Sequence, residues 1–326
     1  MSGEFELIAD YFAPLAGPGG LGLRDDAALF SPRPGCQVVA TADALVAGVH
    51  FFAEDPPELI ARKALRVNLS DLAAMGAQPL GYLLTAAWPA PPQAEWIASF
   101  TAGLAADQKE FRVPLLGGDT TATPGPLTLS VTALGDVAAG RSLRRDQARP
   151  GETIYLSGTL GDGALGLAVQ SDGGGLGGLD EPNREHLIGR YRLPQPRLAL
   201  GRLLSERGLA RAAIDLSDGL AADLGHVLAA SAAAGEVHCD RLPLSAAARA
   251  AVALEPESLS KILSGGDDYE LLFTASPEQA KAISALADEL ALPLTPIGEI
   301  APGQGLTLLD SNGKSIELDR VGWSHF

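Results

Sequence analysis

AIDLSDGLAADLGH, residues 213–226, begins as a run suited to a buried strand and then places carboxylates at Asp215 and Asp218. A shorter echo, VNLSDLAAMGAQP at 67–79, repeats the Leu-Ser-Asp triplet at 69–71. Ser and Asp ahead of an apolar helical run are ordinary N-caps, because their oxygens accept from backbone N–H groups left unpaired there. Asp71 and Asp218 fit that role at helix starts, where the helix dipole also favours negative charge. Asp215 does not fit it. It follows Ile214 at a strand end and adds charge close to Asp218.

Strand, charged turn and helix recur along the chain. The acidic N-terminus, MSGEFELIADYFAPL, reads as an amphipathic helix and not as a signal peptide. CQVVATADALV (36–46) reads as a strand, residues 57–75 as a helix, 79–88 as a strand and 94–111 as an amphipathic helix. VPLLGGDTT and PLTLSVTALGDV read as two strands joined by a glycine-rich turn. Charge, Gly and Pro break the pattern at 138–152, which divides the chain into domains of residues 1–138 and 139–326. The second domain opens with the strand TIYLSG and the helix GALGLAVQ, followed by a flexible connector at 171–183 and a proline-punctuated segment. After the opening motif come a long helix, a strand around GEVHC, and strands alternating with a helix. Both halves are mixed α/β.

Composition narrows the function. A net charge of −16 argues against a nucleic-acid partner, since phosphate backbones require clustered Lys and Arg. Cys36 and Cys239 stand far apart in no Cys-x-x-Cys pattern, which disfavours a disulfide framework or a cysteine zinc site. No apolar run is long enough for an ordinary membrane span. A cytoplasmic enzyme or binding protein is expected.

Three phosphate-like patterns fail or weaken on inspection. Gly17, Gly19 and Gly22 satisfy G-x-G-x-x-G but follow a helix, whereas a dinucleotide turn follows a strand. Gly161, Gly163 and Gly166 do follow a strand and open a helix, but no strand-terminal acid follows at the required spacing, so a tight turn is the simpler reading. Gly313-Lys314-Ser315 lacks the leading glycine of a P-loop, and Asn312-Gly313 reads as a hairpin turn. The aspartates remain: Asp25, Asp26, Asp43, Asp71, Asp119, Asp215 and Asp218 all lie where apolar runs meet turns. Clustered carboxylates repel one another unless cations neutralise them, and hard oxygen ligands select Mg²⁺ or Ca²⁺. The residues thus suggest an acidic Mg²⁺–nucleotide site without a P-loop.

In order along the chain, GEFELIADYF, RDDAAL, TADALVAGVHF, KALRVNLSDLAAMGAQP, LLGGDTT, GRSLRRDQARPGE, AIDLSDGLAADLGH, LSGGDDYELLF and the terminal GWSHF resemble the thiamine-monophosphate kinase family, of the aminoimidazole ribonucleotide synthetase-like superfamily. The resemblance runs nearly end to end. It implies two mixed α/β (α+β) domains, the N-terminal sheets pairing across a homodimer, with ATP in a cleft near the dimer interface. It implies transfer of the ATP γ-phosphoryl group to thiamine monophosphate with several Mg²⁺ ions and no general base. Matched by motif, Asp26, Thr41, Asp43, Asp71, Asp119, Asp215 and Asp218 are metal ligands. Gly117, Gly118, Arg145 and Ser217 contact ATP, while His50, Asp267 and Trp323 line the thiamine-phosphate pocket.

Three positions depart from the family pattern: Arg24 where glycine is usual, Ala42 in place of a hydroxyl residue, and Asp267 in place of glutamate. Two other readings are a superfamily relative that phosphorylates an amide or carboxyl oxygen, and a noncatalytic nucleotide-binding regulator. GGDDYEL and Trp323 argue against the first, and the full set of acids argues against the second.

Overall fold

Side-chain alternation builds two separate sheets. The computed structural model describes residues 4–171 and 175–322, so Trp323 lies outside the described residues. The chain forms two compact units: Met1–Leu72 with Ala77–Gly140, and Ala73–Gly76 with Arg141–Phe326.

The first unit starts with α1 (Glu4–Leu7), which widens into a π-helical turn at Ile8–Phe12 and tightens at Ala13–Leu15. The expected N-terminal helix is therefore only one regular turn long. Pro14, which has no N–H to donate, stands where it would have to continue. β1 (Cys36–Val46), α2 (Pro57–Ala74), β2 (Gln78–Trp88), α3 (Ala94–Phe111), β3 (Leu115–Ala122) and β4 (Thr128–Ala138) follow.

The strand order is β1-β4-β2-β3. β2 and β3 run parallel, joined through α3, while β4 is antiparallel to both β1 and β2. The expected β3–β4 turn thus joins strands that do not pair, because β2 lies between them. A parallel crossover through α3 sets β3 beside β2, and β4 pairs with the far edge of β2, leaving β3 as an edge strand.

Leu129, Val131 and Ala133 alternate into the covered face of β4 and are fully buried. α2 lies on that face: Leu72 reaches Gly135 of β4, and Asn68 accepts from the Asp43 N–H of β1 at 3.1 Å. α3 covers β2, with Gln108 donating to the Tyr82 hydroxyl at 2.9 Å and Phe100 edge-on to Trp88. Each fully buried Leu or Phe here contributes about 1.5–3 kcal/mol. The other face of the sheet carries Leu83 and Ala87, half-buried, and Thr85, exposed.

The second unit contains β5 (Thr153–Ser157), α4 (Asp162–Gln170), α5 (Glu181–Arg192), α6 (Leu198–Arg207), β6 (Ala213–Asp215) and α7 (Leu220–Ser231). β7 (Ala234–His238), α8 (Ala246–Leu254), α9 (Ser258–Ser264), β8 (Leu271–Ala275), α10 (Ala280–Leu290), β9 (Leu294–Ala301) and β10 (Gly305–Leu309) complete it. The sheet order is β10-β7-β9-β5-β8-β6, with only the β10–β7 pair parallel. Ile154, Leu156, Ile214 and Leu272 join one core with residues of α4, α7, α8 and α9. Their strand neighbours Tyr155, Ala213, Leu271 and Phe273 join another with α6 and α10. Helices therefore cover both faces, which explains why these short strands are apolar throughout. Asp310 accepts from Asn312 and Lys314 N–H groups at the expected hairpin turn, where Gly313 has φ 75°.

Candidate active-site residues in the two units

In the first unit the acids form two groups. Thr41 on β1 donates to Asp71 on α2 at 2.5 Å, and Asp43 is tied to the same helix through Asn68. Asp71 lies in the last turn of α2 and not at a helix start. The capping role expected of it is therefore absent, and a carboxylate there opposes the helix dipole. His50 Nδ1 accepts from the Val46 N–H at 3.0 Å, and the His50 backbone N–H donates to the Val46 carbonyl. That bond closes the end of β1 and leaves Nδ1 without the ring proton.

The second group lies along β3. A cavity of about 590 Å³ is lined by Asp25, Asp26, Gly117, Gly118 and Asp119, with Thr85 of β2 and Thr132 of β4. Gly118 has φ 156° and its Cβ position lies 1.8 Å from the Leu84 carbonyl, so no side chain fits there. β1 and β3 are opposite edges of the sheet. Three strand spacings, about 14 Å, separate the backbones of the two groups.

In the second unit, Asp215 ends β6 and is 2% exposed. Ser217 and Asp218 follow in the turn, half-buried. Asp218 precedes α7 by two residues. The N-cap is Gly219, φ 111°, and no side chain caps the helix there. The N–H groups of Asp218 and Gly219 go instead to Asp223 at 3.0 and 3.1 Å. Burial pushes the Asp223 carboxyl up to about 7, the two N–H bonds and the charge of Arg145 pulling the other way. Arg145 itself is exposed, and its carbonyl accepts from Ser231 of α7.

Segment 266–270 runs backbone to backbone with this turn. Asp267 and Tyr269 donate N–H bonds to the carbonyls of Ser217 and Leu216, and Leu216 donates to Glu270. A Cβ on Gly266 would lie 1.9 Å from the Ser217 carbonyl, which explains the glycine. Asp215, Ser217, Asp218 and Asp267 therefore occupy one locality.

The strand–glycine–helix turn at Gly161 is already occupied by an acidic side chain, and that side chain is the protein's own. Gly161 and Gly163 N–H groups donate to the two oxygens of Asp268 at 2.7 and 2.9 Å. A helix N-terminus binds a carboxylate as it would a phosphate. Burial and the neighbouring Asp162 push the Asp268 carboxyl up to about 8, against those bonds and Arg190. Gly163 admits the Asp267 carbonyl, which lies 2.2 Å from its Cβ position. Glu270 is equally buried and accepts from Ser157 at 2.6 Å, from Arg190 at 3.0 Å and from Arg197. Sequence reasoning missed Asp223, Asp268 and Glu270. Their only signal was charge inside apolar stretches.

Among the described residues, no three Asp, Glu, His or Cys side chains converge closely enough to hold a metal by themselves. The donors that do meet, a hydroxyl and carboxylates, are hard oxygens. Such a set suits Mg²⁺, which keeps waters and shares one or two carboxylates with phosphate oxygens.

Two family models match the chain: the N-terminal domain of AIR synthase related protein over residues 24–137 and its C-terminal domain over 149–311. A thiamine-monophosphate kinase of Caulobacter vibrioides is 42% identical over 331 residues, covering 99% of this chain and 90% of that protein. The crystal structure of a thiamine-monophosphate kinase from Stenotrophomonas maltophilia is 45% identical with a TM-score of 0.82, covering 90% and 91% of the two chains. A structure described as AaThiL complexed with AMPPCP and TMP is 29% identical with a TM-score of 0.78, covering 99% and 97%.

Proposed function

The chain belongs to the thiamine-monophosphate kinases of the AIR synthase related family, and we propose that it transfers the γ-phosphoryl group of ATP to thiamine monophosphate, giving thiamine diphosphate. The observation that carries this reading is 42% identity to such a kinase across 99% of the chain. The relative bound to AMPPCP and TMP supports the substrate pair.

The chemistry suits the residues. The acceptor is a phosphate oxygen already ionised at neutral pH, so no side chain has to remove a proton, and none is assigned as a general base. The obstacle is repulsion between two polyanions. Asp26, Thr41, Asp43, Asp71, Asp119, Asp215 and Asp218 are the proposed oxygen ligands for Mg²⁺. When bound, Mg²⁺ supplies charge neutralisation and alignment for in-line transfer. Gly117, Gly118, Arg145 and Ser217 are the proposed ATP contacts. The bare backbone beside Asp119 allows close approach, and the exposed guanidinium of Arg145 offers planar donors to phosphate. His50, Asp267 and Trp323 are the proposed thiamine-monophosphate contacts.

A homodimer that pairs the four-stranded sheets is part of this proposal. Val38, Ala40, Ala42 and Ala44 are exposed alternate residues of β1, apolar where a solvent-facing strand would carry polar side chains. No described helix is long and apolar enough to cross a membrane, in keeping with a cytoplasmic setting.

The test is production of thiamine diphosphate by purified, folded protein given ATP, Mg²⁺ and thiamine monophosphate. No product overturns the reading. A panel of amide and carboxylate acceptors under the same conditions separates it from a superfamily relative, and nucleotide binding without any transfer identifies a regulator.

A further inference from the structure

We propose that Asp268 is a positioning residue for thiamine-monophosphate binding, seated on the N-terminal turn of α4 so that the adjacent Asp267 is held at its substrate. The inference rests on the reading of Asp267 as a substrate contact.

Alternate residues of the segment do different things. Asp268 and Glu270 point inward and are 2% and 0% exposed. Asp268 spends each side-chain oxygen on one backbone N–H of α4, from Gly161 and Gly163. Glu270 lies over Gly158 and takes Ser157, Arg190 and Arg197. Asp267 and Tyr269 are half-buried, with left-handed backbone at φ 69° and 51°. Non-glycine residues hold that conformation only where their surroundings enforce it.

The enforcement is visible on both sides. The Asp267 carbonyl is packed against Gly163, and its N–H is bonded to Ser217 in the turn that carries Asp218. Asp268 is the link that fixes this segment to α4. If the buried acid served stability alone, a left-handed aspartate beside it would have no reason to be there, since glycine would hold the turn with less strain.

Asp268→Asn keeps the shape and one acceptor oxygen but gives up one of the two N–H bonds. In the full-length enzyme we expect the KM for thiamine monophosphate to rise about tenfold, with kcat and the KM for ATP within about twofold. Asp162→Asn is the control. Asp162 is equally buried at the same helix end, bonded to Thr159 and Ser245, and is not part of the segment. It should lower the melting temperature without moving either KM.

A KM unchanged in Asp268→Asn, or raised equally in Asp162→Asn, overturns the proposal. Asp267→Ala tests the underlying reading separately: an unchanged KM for thiamine monophosphate there removes the substrate role of Asp267, whatever Asp268 does. Should Asp268→Asn fail to fold, amide exchange in the unaltered enzyme decides. Gly161 and Gly163 should become more protected on adding thiamine monophosphate, and indifference to it overturns the proposal.

Discussion

Asp267, the proposed substrate contact, shows at the scale of one residue what a left-handed turn demands of the chain. Left-handed backbone crowds an L side chain against its own carbonyl, and aspartate tolerates this better than most residues but less well than glycine. Asp267→Gly is therefore expected to leave stability unchanged or raise it by up to about 1 kcal/mol in urea unfolding, while thiamine-monophosphate turnover falls. A loss of stability with full activity would mean the side chain is structural. Asp71 and Asp218 invite the complementary experiment, since neither caps a helix. Asp71→Asn and Asp218→Asn should each lower turnover by about a hundredfold or more with the melting curve preserved. A collapsed melting curve would restore a structural role. The repeated Leu-Ser-Asp is what marks these two residues as candidate ligands in the sequence. The helix starts that the sequence suggests for them are not where the helices begin, because an acid beside an apolar run looks like a cap until the helix ends are known.

At the scale of elements, glycines separate packing from propensity. Gly189 lies within α5 and a Cβ there meets nothing within 4 Å. Gly189→Ala should stabilise by about 0.5–1 kcal/mol in urea unfolding. Gly163→Ala should destabilise by about 2 kcal/mol or more, because the new methyl would sit 2.2 Å from the Asp267 carbonyl. Equal effects at the two positions would contradict this packing. β1 and α3 fall at 36–46 and 94–111 as read, since long alternating or helical runs declare themselves. α5, α6, α8 and α9 were not legible. α5 buries only Leu187 and Tyr191 among charged residues, and α8 buries only alanines. Too narrow or too small an apolar stripe leaves no period to read. The order of β4, β2 and β3 was hidden for another reason: sequence neighbours favour a hairpin, whereas β4 pairs with β1 and β2, strands far from it in sequence.

At the scale of the whole molecule, buried acids impose a pH dependence. Asp268 keeps its proton up to about 8 in the folded chain, whereas the unfolded chain releases it above the ordinary aspartate value of 3.8. The folded state thus binds more protons across that window, and stability falls as pH rises through it. The urea midpoint should decline from pH 5 to pH 8, and Asp268→Asn should flatten the decline; an unchanged slope in the variant would show that Asp268 is ionised throughout. The exposed face of β1 makes a prediction of its own. Val38→Arg with Ala40→Arg should convert the proposed dimer to a monomer by light scattering, and an unaltered mass would place any dimer contact elsewhere. What holds the second unit together could not be read from local sequence, because the partners lie so far apart. Asp268 sits 107 residues from Gly161, and Glu270 sits 113 from Ser157. Closing loops of that length costs chain entropy before any contact repays it. During synthesis, β5 and α4 therefore emerge with an open helix end and wait while about a hundred further residues are added at roughly 5–20 per second. Nascent chains released before residue 268 would lack both acids, and they are the species a chaperone or protease would meet.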